Sequence, residues 1–370
     1  MEPPQAVSKR ETDARILGFA TQGSDGDDEL RLRTLLAPLA AEVLPFDRSR
    51  KISSLFQILQ RIRKESPSLV LMEGTGIGGG LAVLAGRWFY GVPFVVSSGD
   101  AVGPFLSGKY GWGNPLFHLY ERVLCRSAKG FVGWSPYLSG RALTLGARRA
   151  MTAPGWAPFA LTEEQRQSYR SKIRQKFDIR PSAIVFGIAG SLAWSKTRRY
   201  CYGLELVKAL QQTSSDACVL IVGDGDGYEI LRRLAGSRLN KSIFLAGRVG
   251  RSEVPKYLSA MDVGLLPQSV DGIGSFRYTT KISEYVAAKL PFITNQIPAA
   301  YDMDSRWMIR LPGDAPWDRV FVRELASLMD NAKREWMDQL RSNMPDHAQE
   351  FDRERQVARF CSFVSDLLIA

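Results

Sequence analysis

The sequence has few residues that bind metals or form crosslinks. It contains two histidines, His118 and His347, and four cysteines in 370 residues. The cysteines, which lack the pair spacing of a zinc site or a disulfide framework, are Cys125, Cys201, Cys218 and Cys361. Neither histidine has a third ligand near it, so we expect both to be packing or surface residues. The sequence therefore predicts no bound metal, and its cysteines are typical of a reduced, cytoplasmic protein.

Long hydrophobic segments are also missing. The longest apolar stretch, residues 79–97, is interrupted by Arg87 and Pro93, so it does not predict a membrane span. We interpret it as a buried helix, a turn at Gly91 and a strand over residues 93–97. The N-terminus has no signal-peptide core, and no Walker motif occurs anywhere in the chain.

Acidic residues are outnumbered by basic ones, which gives a formal net charge of +11. Such a balance favours acidic partners, namely nucleotides, anionic lipid or nucleic acid. The basic residues are not interleaved with aromatic residues in a recognised nucleic-acid-binding module, so we expect no nucleic-acid partner.

One predicted helix, residues 52–64, carries an apolar stripe between basic ends. The stripe consists of Ile52, Leu55, Phe56, Leu59 and Ile62, and the basic residues are Arg48, Arg50, Lys51, Arg61, Arg63 and Lys64. This pattern fits a helix that rests peripherally on an anionic membrane. It also fits a helix that packs its stripe on a sheet and keeps its charged ends in water.

Strands and helices alternate along the whole chain. In the first half, strands are predicted at 15–20, 42–46, 68–72, 93–97 and 129–132, a glycine-rich turn at 77–80, and helices at 30–41, 52–64 and 137–145. A charged helix at 162–176 leads to a second half that begins near Ala183. A chain of this length suits two domains, and the alternation predicts parallel sheets whose ligands bind at the carboxyl ends of the strands.

Residues 242–296 point to an anion-binding site. Their pattern predicts strand, helix, strand, glycine-rich loop, helix and strand, and the second helix begins near Thr280. Thr279 and Thr280 can cap this helix, whose free amides and dipole favour a phosphate. Lys281 lies in its first turn and Glu284 shares the same face, which suits a nucleotide diphosphate whose ribose needs a bidentate acceptor. An ordinary capped helix with a surface Lys–Glu pair fits the local sequence as well.

Four motifs, in this order and spacing, resemble the donor-binding half of retaining glycosyltransferases of family 4. They are IVGDG at 221–225, FLAGRV at 244–249, AMDVGLLP at 260–267 and TKISEYVAAKLP at 280–291. The resemblance implies an α/β protein of the GT-B architecture, with two Rossmann-like domains whose parallel sheets face a central cleft. It also implies a C-terminal helix that packs back on the first domain. We place the three parts at residues 1–165, 166–350 and 351–370.

The resemblance also implies a donor site. Lys196 or Arg198 would neutralise the diphosphate, and the backbone at Arg248 and Val249 would hold the base. The other donor residues implied are Gly223, Asp224, Thr279, Thr280, Lys281 and Glu284. The acidic pair at 224 and 226 would suggest a metal in the other main glycosyltransferase fold. Here it follows a buried strand and precedes a helix, which is the metal-free GT-B pattern, and it lacks the glycine fingerprint of a nicotinamide site.

Two positions depart from the family pattern. Relatives often carry His-Asp where this chain has Gly99 and Asp100, so a common sugar contact is missing, although Asp100 could still position an acceptor hydroxyl or cap the next segment. Relatives also carry a glutamate eight positions before Glu284, where this chain has Phe276. Gly23 lies where the family has a small residue near the transferred sugar, and it could equally be a simple turn glycine.

The expected function is transfer of a sugar from a nucleotide-diphosphate sugar to an acceptor hydroxyl, with retention of anomeric configuration. The resemblance implies a carbohydrate, lipid-linked or small-molecule acceptor in polysaccharide, glycolipid or glycosylated-metabolite synthesis, and no cofactor. The expected location is the cytoplasm, with a peripheral contact at the inner face of the membrane left open. A non-catalytic sugar-nucleotide-binding relative is an alternative. A nucleotide-sugar 2-epimerase is another, but it would need acids and histidines that the sequence lacks.

Overall fold

The chain folds into two units. The structure is a computed structural model that describes residues 14–302, 306–346 and 348–369; His347 lies outside them. Unit 1 takes its described residues from Met1–Gly155, Phe276–Thr279 and Gln349–Ala370. Unit 2 takes its described residues from Trp156–Ser275 and Thr280–Ala348.

Unit 1 is built on a six-stranded parallel sheet with the strand order β2-β1-β3-β4-β5-β6. Its strands are β1 (Ile16–Ala20), β2 (Glu42–Val43), β3 (Leu69–Glu73), β4 (Phe94–Ser98), β5 (Gly130–Gly133) and β6 (Ala150–Thr152). Every residue of β1, β3, β4 and β5 is buried, as expected for apolar strands covered on both faces of a parallel sheet. The strand predicted at 42–46 is shorter in the structure, because pairing with β1 is limited to Glu42 and Val43.

The helices of unit 1 begin and end at local signals in the sequence. They are α1 (Asp27–Leu36), α2 (Lys51–Glu65), α3 (Ile77–Tyr90), α4 (Val102–Lys109), α5 (Asn114–Ser127) and α6 (Pro136–Thr144). At the start of α6, Ser135 Oγ accepts a hydrogen bond from Leu138 N, and Pro136 takes the first helical position. α3 ends at Gly91, whose φ of 70° is the left-handed conformation that closes a helix.

Two predictions about α3 were wrong. Residues 77–80 do not form a glycine-rich turn but the first turn of the helix, in which Gly78, Gly79 and Gly80 leave room for neighbouring groups. A Cβ on Gly80, for example, would lie 1.9 Å from Tyr120 Oη. The helix is also not buried all round: its outer face exposes Ile77, Leu81 and Trp88.

Unit 2 is built on a second parallel sheet with the strand order β12-β11-β10-β7-β8-β9. Its strands are β7 (Val185–Ala189), β8 (Cys218–Val222), β9 (Ile243–Gly247), β10 (Val263–Leu266), β11 (Phe292–Asn295) and β12 (Met308–Leu311). Apolar side chains from the strands and flanking helices, among them Phe186, Leu206 and Phe321, form a common core. This arrangement puts the first strand, β7, in the middle of the sheet.

The helices of unit 2 flank this sheet. They are α7 (Glu163–Lys176), α8 (Leu204–Leu210), α9 (Tyr228–Ala235), α10 (Val254–Ala260), α11 (Lys281–Ala287), α12 (Ala299–Asp302), α13 (Arg319–Asn331) and α14 (Arg334–Ser342). α7 starts with a capping box, in which Thr162 and Gln165 satisfy each other's backbone amides. The charged helix predicted at 162–176 therefore has a well-defined beginning.

The last helix, α15 (Arg353–Ile369), is part of unit 1. It buries Phe360, Val364 and Leu367 and contacts α1. It also approaches β5, where a Cβ on Gly130 would lie 2.7 Å from Leu367 Cδ1. Gly130 is therefore needed for the close packing of this helix on the sheet.

No helix in the described part of the chain is both long and apolar enough to cross a bilayer. All four cysteines are free thiols. Among the described residues, no group of three or more His, Cys, Asp or Glu side chains is placed to hold a metal ion.

Candidate functional site

The sheet of unit 2 has a topological switch point between β7 and β10. These strands pair with each other, but β7 leads through α8 to β8 on one side, and β10 leads through α11 to β11 on the other. In open parallel sheets the loops at such a point diverge and leave a ligand-binding crevice at the carboxyl ends of the strands. Gly190 follows β7 at this crevice, and the loop after β10 leads to α11.

The loops after β7 and β8 are fastened together by backbone hydrogen bonds. Gly190 N donates to Val222 O at 2.9 Å, and Leu192 N donates to Asp224 O at 2.9 Å. Gly223 N donates to Gly247 O, also at 2.9 Å. A Cβ on Gly223 would lie only 1.8 Å from Gly190 O, so this position requires glycine. Because the amide of Gly223 already has a partner, we assign Gly223 to shaping the loops.

The two acidic residues of the loop after β8 are both used in hydrogen bonds that shape these loops. Asp224 Oδ1 accepts from Gly225 N at 2.8 Å, and Asp226 Oδ1 accepts from Trp194 N at 2.6 Å. The first bond is local, as is typical of Asp in turns, whereas the second joins the loop after β8 to the loop after β7. Asp224 is thus an exposed turn residue whose carboxylate holds the glycine-rich loop in shape.

Lys281, the first residue of α11, reaches the crevice. The Lys281 Nζ atom is 4.9 Å from the ring centroid of Tyr202. A Cβ added to Gly190 would lie only 2.9 Å from this Nζ atom. The ring face of Tyr202 stabilises the cation, and the missing side chain at Gly190 leaves space around it. A fixed positive charge at the switch point is suited to bind phosphate oxygens.

The start of α11 differs from the predicted capping. Thr280 is exposed at the N-cap, but its side chain makes no capping hydrogen bond. Instead its carbonyl accepts from Glu284 N at 3.0 Å and from Ser283 Oγ at 2.9 Å. Thr279 belongs to unit 1, and Glu284 is half-buried on the first turn. The adjacent Tyr285 Oη donates to Leu265 O at 2.8 Å, which fixes α11 on β10.

Lys196 and Arg198 lie on a turn closed by backbone pairing of Ser195 with Tyr200. Both side chains are exposed. The guanidinium carbon of Arg198 is 5.0 Å from the ring centroid of Trp317, so this cation is held over an aromatic face. Of the two, Arg198 is the one whose position the structure explains.

Arg248 and Val249 follow β9, the strand next to β8 at the edge of the sheet. Arg248 is exposed and Val249 half-buried. The preceding Gly247 has a φ of 69° and its carbonyl accepts from Gly223 N at 2.9 Å. One backbone hydrogen bond therefore links the turn after β9 to the loop after β8.

Sequence analysis missed a buried polar layer next to the turn that carries Lys196 and Arg198. Glu205, on the first turn of α8, is 1% exposed, and burial raises its pKa to about 8. Tyr200 lies near it and packs on Trp317, with ring centroids 5.0 Å apart. An acid within the apolar segment LELVKAL was the available signal for this layer.

Asp100 and Gly23 are in unit 1, at the carboxyl ends of β4 and β1. Gly23 has a φ of 107°, and its amide donates to Ala20 O at 3.2 Å, so the turn itself requires glycine. Asp100 Oδ1 lies 3.3 Å from Arg277 Nε, an ion pair without hydrogen-bond geometry. Burial raises the pKa of Asp100, while Arg277 lowers it; the net shift is upward.

The structure explains both departures from the family pattern. A Cβ on Gly99 would lie 2.7 Å from Trp134 Cε3, so Trp134 fills the space that a larger residue at 99 would need. Phe276 is held by its carbonyl, which accepts from Ser135 Oγ at 3.2 Å, and its ring lies 5.3 Å from the Arg141 guanidinium carbon. Both positions are therefore used for packing in unit 1.

A buried cluster behind Asp100 was also missed from the sequence. Glu73, at the end of β3, is fully buried and accepts from an Arg31 side-chain nitrogen at 2.6 Å and from Trp134 Nε1 at 3.1 Å. Arg31 also donates to Ala153 O at 2.6 Å. A carboxylate that closes the apolar strand LVLME was the signal for this cluster.

Asp28 adds a group that titrates near neutral pH. Burial, followed by the negative charge of Glu73, raises its pKa to about 7; Asp100 and Asp27 act in the same direction, and Arg31 opposes them. The carboxyl group is therefore partly protonated at physiological pH and can donate or accept a hydrogen bond. Its place on α1 beside Glu73 makes it a candidate contact for a polar ligand of unit 1.

Asp28→Asn is expected to stabilise the protein above neutral pH. Between about pH 4 and pH 7 the folded state keeps a proton on Asp28 that the unfolded chain has lost, so the free energy of unfolding of the wild type falls as the pH rises. The variant lacks this loss. We expect it to gain about 1–3 kcal/mol at about pH 8 relative to about pH 5, less than the full shift implies because Asp28 is partly exposed. Urea unfolding at both pH values measures the gain, and an equal gain at both would contradict the raised pKa.

Both halves of the chain match models of known protein families. Residues 183–329 match the family described as "Glycosyl transferases group 1", and residues 5–154 match "Glycosyl transferase 4-like domain". No curated protein matches the sequence significantly.

Solved structures share the fold at low sequence identity. Anabaena Alr3699/HepE, in complex with UDP and glucose, has a TM-score of 0.70 at 17% identity over 95% of this chain and 100% of its own. Sucrose-phosphate synthase from Thermosynechococcus elongatus has a TM-score of 0.70 at 14% identity over 96% and 99%. The lipopolysaccharide outer core galactosyltransferase WaaB has a TM-score of 0.62 at 13% identity over 95% and 99%.

Proposed function

Because the chain is a GT-B glycosyltransferase that resembles family 4, we propose that it transfers a sugar from a nucleotide-diphosphate sugar to an acceptor hydroxyl with retention of anomeric configuration. The observation that carries this proposal is the position of Lys281. Its ammonium group lies at the switch point of the unit 2 sheet, against Gly190 and over Tyr202. In an open parallel sheet, the phosphates of a bound ligand are expected in the crevice at this point.

In the proposed reaction the chain supplies charge and position. Lys281, with Arg198 or Lys196, stabilises the diphosphate as it gains negative charge in the transition state. The leaving diphosphate takes the proton of the acceptor hydroxyl as the bond to the anomeric carbon breaks. The acceptor oxygen, which gives up this proton, forms the new bond to the anomeric carbon on the same face, so no side-chain nucleophile is required. These cations would take the place of a metal ion, and the proposed reaction needs no cofactor.

We assign the nucleoside to Glu284 and to the turn after β9. The half-buried Glu284 carboxylate can accept both ribose hydroxyls, and the backbone at Arg248 and Val249 can hold the base. UDP is the first candidate, because the Anabaena protein is described in complexes with UDP and with UDP-glucose.

We propose a cytoplasmic reaction at the inner face of the membrane, in synthesis of a polysaccharide, glycolipid or glycosylated metabolite. The net charge of +11 supports an anionic surface as the working environment. Among carbohydrate, lipid-linked and small-molecule acceptors, this location favours the lipid-linked class.

A non-catalytic sugar-nucleotide-binding protein is the second candidate. It is favoured by the two departures from the family pattern, since Trp134 fills the space at Gly99 and Phe276 is held by Ser135. Such a protein would bind the diphosphate but would neither hydrolyse nor transfer the sugar. Release of free sugar or of a glycosylated product from the bound donor separates the two candidates.

The first experiment is a binding panel of UDP, GDP, dTDP and ADP, with and without magnesium, by calorimetry and thermal shift. We expect one diphosphate to bind and to raise the melting temperature independently of magnesium. Glu284→Ala should weaken this binding about tenfold to a hundredfold, because a charged acceptor of two hydrogen bonds is lost.

The matched control is Glu335→Ala, which removes an exposed glutamate from the first turn of α14 in the same unit. It should leave the affinity unchanged. Binding of none of the four nucleotides, or equal affinities for wild type and Glu284→Ala, would disprove the site assignment.

A further inference from the structure

The outer face of α3 carries an apolar stripe that remains exposed among the described residues. Ile77, Leu81, Ala85 and Trp88 recur at helical spacing on one side of the helix. Leu81 is 47% exposed and Trp88 61%, and the adjacent Phe89 is 75% exposed. The opposite side consists mainly of small residues that pack against unit 1. Most of the large side chains of this helix therefore point away from the core, and Val83 and Leu84 are the large ones that are buried.

Two neighbouring helices extend this apolar surface. The crossovers that carry the chain from β2 to β5 all run the same way along the sheet, so α2, α3 and α5 lie on one face of it. α2 packs closely on α3, where a Cβ on Gly86 would lie 3.1 Å from Ile62 Cγ2. On the other side, Tyr120 of α5 donates from Oη to Thr75 O at 3.2 Å, just before α3. The outward sides of the three helices are thus adjacent.

Exposed apolar residues continue across these neighbours. On α2, Ile52 is 75% and Phe56 63% exposed, one turn apart, while its buried side consists of Ser54, Ile58 and Ile62. On α5, Leu116 and Leu119 are exposed. We call the exposed apolar side chains of α2, α3 and α5 the docking face. The predicted stripe of α2 is therefore divided: part of it packs inward and part belongs to the docking face.

The charged side chains that the three helices themselves expose are all positive. The exposed charged residues of the three helices, all of which lie within the described part of the chain, are Lys51, Arg63, Lys64, Arg87, Arg122 and Arg126. The two acids of these helices are withdrawn from the surface. Glu65 is paired with Arg15 at 2.8 Å and also with Arg61, and the buried Glu121 is paired with Arg141 at 2.6 Å.

We propose that the docking face binds an anionic lipid bilayer. Aromatic and aliphatic side chains enter the boundary between headgroups and acyl chains, and a rim of Lys and Arg binds the anionic headgroups. A symmetric dimer through the same face would bring the like-charged rims of two copies together, which opposes self-association. The positive rim thus selects a negatively charged surface as the partner.

Vesicle sedimentation tests this proposal. The full chain should bind vesicles of equal parts phosphatidylcholine and phosphatidylglycerol, and should bind phosphatidylcholine vesicles much more weakly. Trp88→Ser with Phe89→Ser should reduce binding about tenfold for each aromatic removed. Arg63→Gln with Lys64→Gln should reduce it about fivefold for each charge, and only on the anionic vesicles.

The matched control is Tyr301→Ser, which removes a 56% exposed aromatic residue of unit 2 and should not change vesicle binding. Thermal unfolding of every variant checks the fold, and UDP binding should be unchanged in all of them. Because vesicle binding needs no nucleotide, failure of the docking face and failure of the donor site are distinguishable. Equal binding to both vesicles would overturn the proposal. A dimer in solution would also overturn it, if sedimentation velocity shows that the variant with Trp88→Ser and Phe89→Ser dissociates this dimer.

Discussion

Lys281→Ala should lower kcat/KM for the donor by about thirtyfold to a thousandfold. The substitution removes a cation that is held over Tyr202 and next to Gly190, at the point where the departing diphosphate would gain charge. Loss of one such electrostatic contact costs about 2–4 kcal/mol of transition-state stabilisation. The effect should appear mainly in kcat, with a smaller loss of nucleotide affinity, because the charge on the leaving group grows during the reaction.

Hydrolysis of the sugar nucleotide selected by the binding panel measures this effect without a known acceptor. Lys208→Ala is the control, since it removes an exposed lysine from α8 in the same unit. Gly190→Ala is a second probe, because its Cβ would come within 2.9 Å of Lys281 Nζ and displace the ammonium group. Unchanged kinetics in Lys281→Ala would remove Lys281 from the mechanism.

Asp262→Ala should greatly lower the free energy of unfolding. Asp262 is fully buried before β10, and its carboxylate accepts from Arg170 at 2.7 Å and from Arg174 at 2.6 Å, as well as from Arg334. It also accepts from Val185 N at 2.8 Å, at the start of β7. Burial raises the pKa of Asp262, but the three arginines outweigh it and hold the pKa at about 2.

Removing this carboxylate leaves three guanidinium groups together with no counter-charge. Truncating one partner of a buried ion pair typically lowers the free energy of unfolding by about 3–5 kcal/mol. Asp216→Ala is the matched control, because Asp216 pairs with Arg180 at 3.1 Å on the surface, where both side chains are largely exposed. There the expected loss is below about 1 kcal/mol. Urea unfolding of the two variants should separate them clearly, and similar losses would show that the arginine cluster is not structural.

The order of elements in unit 2 could be predicted from local sequence. Strand β10, for example, coincides with the apolar run Val263–Leu266, which ends sharply at Pro267. The α11 start was predicted within a residue, but not its details, since Thr280 has the signature of a capping residue and makes no capping bond. Capping depends on side-chain conformation, which the sequence pattern does not determine.

α3 shows why a hydrophobic run is ambiguous. Its apolar residues predicted a buried helix, yet the buried side is mostly Gly and Ala with Val83 and Leu84, while larger side chains such as Trp88 face outward. Three adjacent glycines indicated a turn, because glycine is a poor helix former. Their helical conformation depends on distant partners: Phe19 and Thr21 occupy the space at Gly79, and Tyr120 the space at Gly80. Tertiary packing thus overrode local propensity.

The departures at Gly99 and Phe276 were visible in the sequence, but their reasons were not. Trp134 and Ser135 lie far along the chain from both positions, and no local pattern links them. The same holds for Arg31 and Glu73, whose buried pair joins α1 to the end of β3. Polar pairs of this kind arise from the fold and leave little trace in the periodicity of either segment.

The membership of α15 in unit 1 has a consequence for synthesis on the ribosome. Phe360, Val364 and Leu367 are needed to cover unit 1, and they follow unit 2 in the order of synthesis. The stretch from Trp156 to Ala348, which holds all of unit 2, emerges before them. Of the two units, the one whose translation begins first is therefore completed second, and its uncovered sheet must stay free of aggregation until α15 has been synthesised.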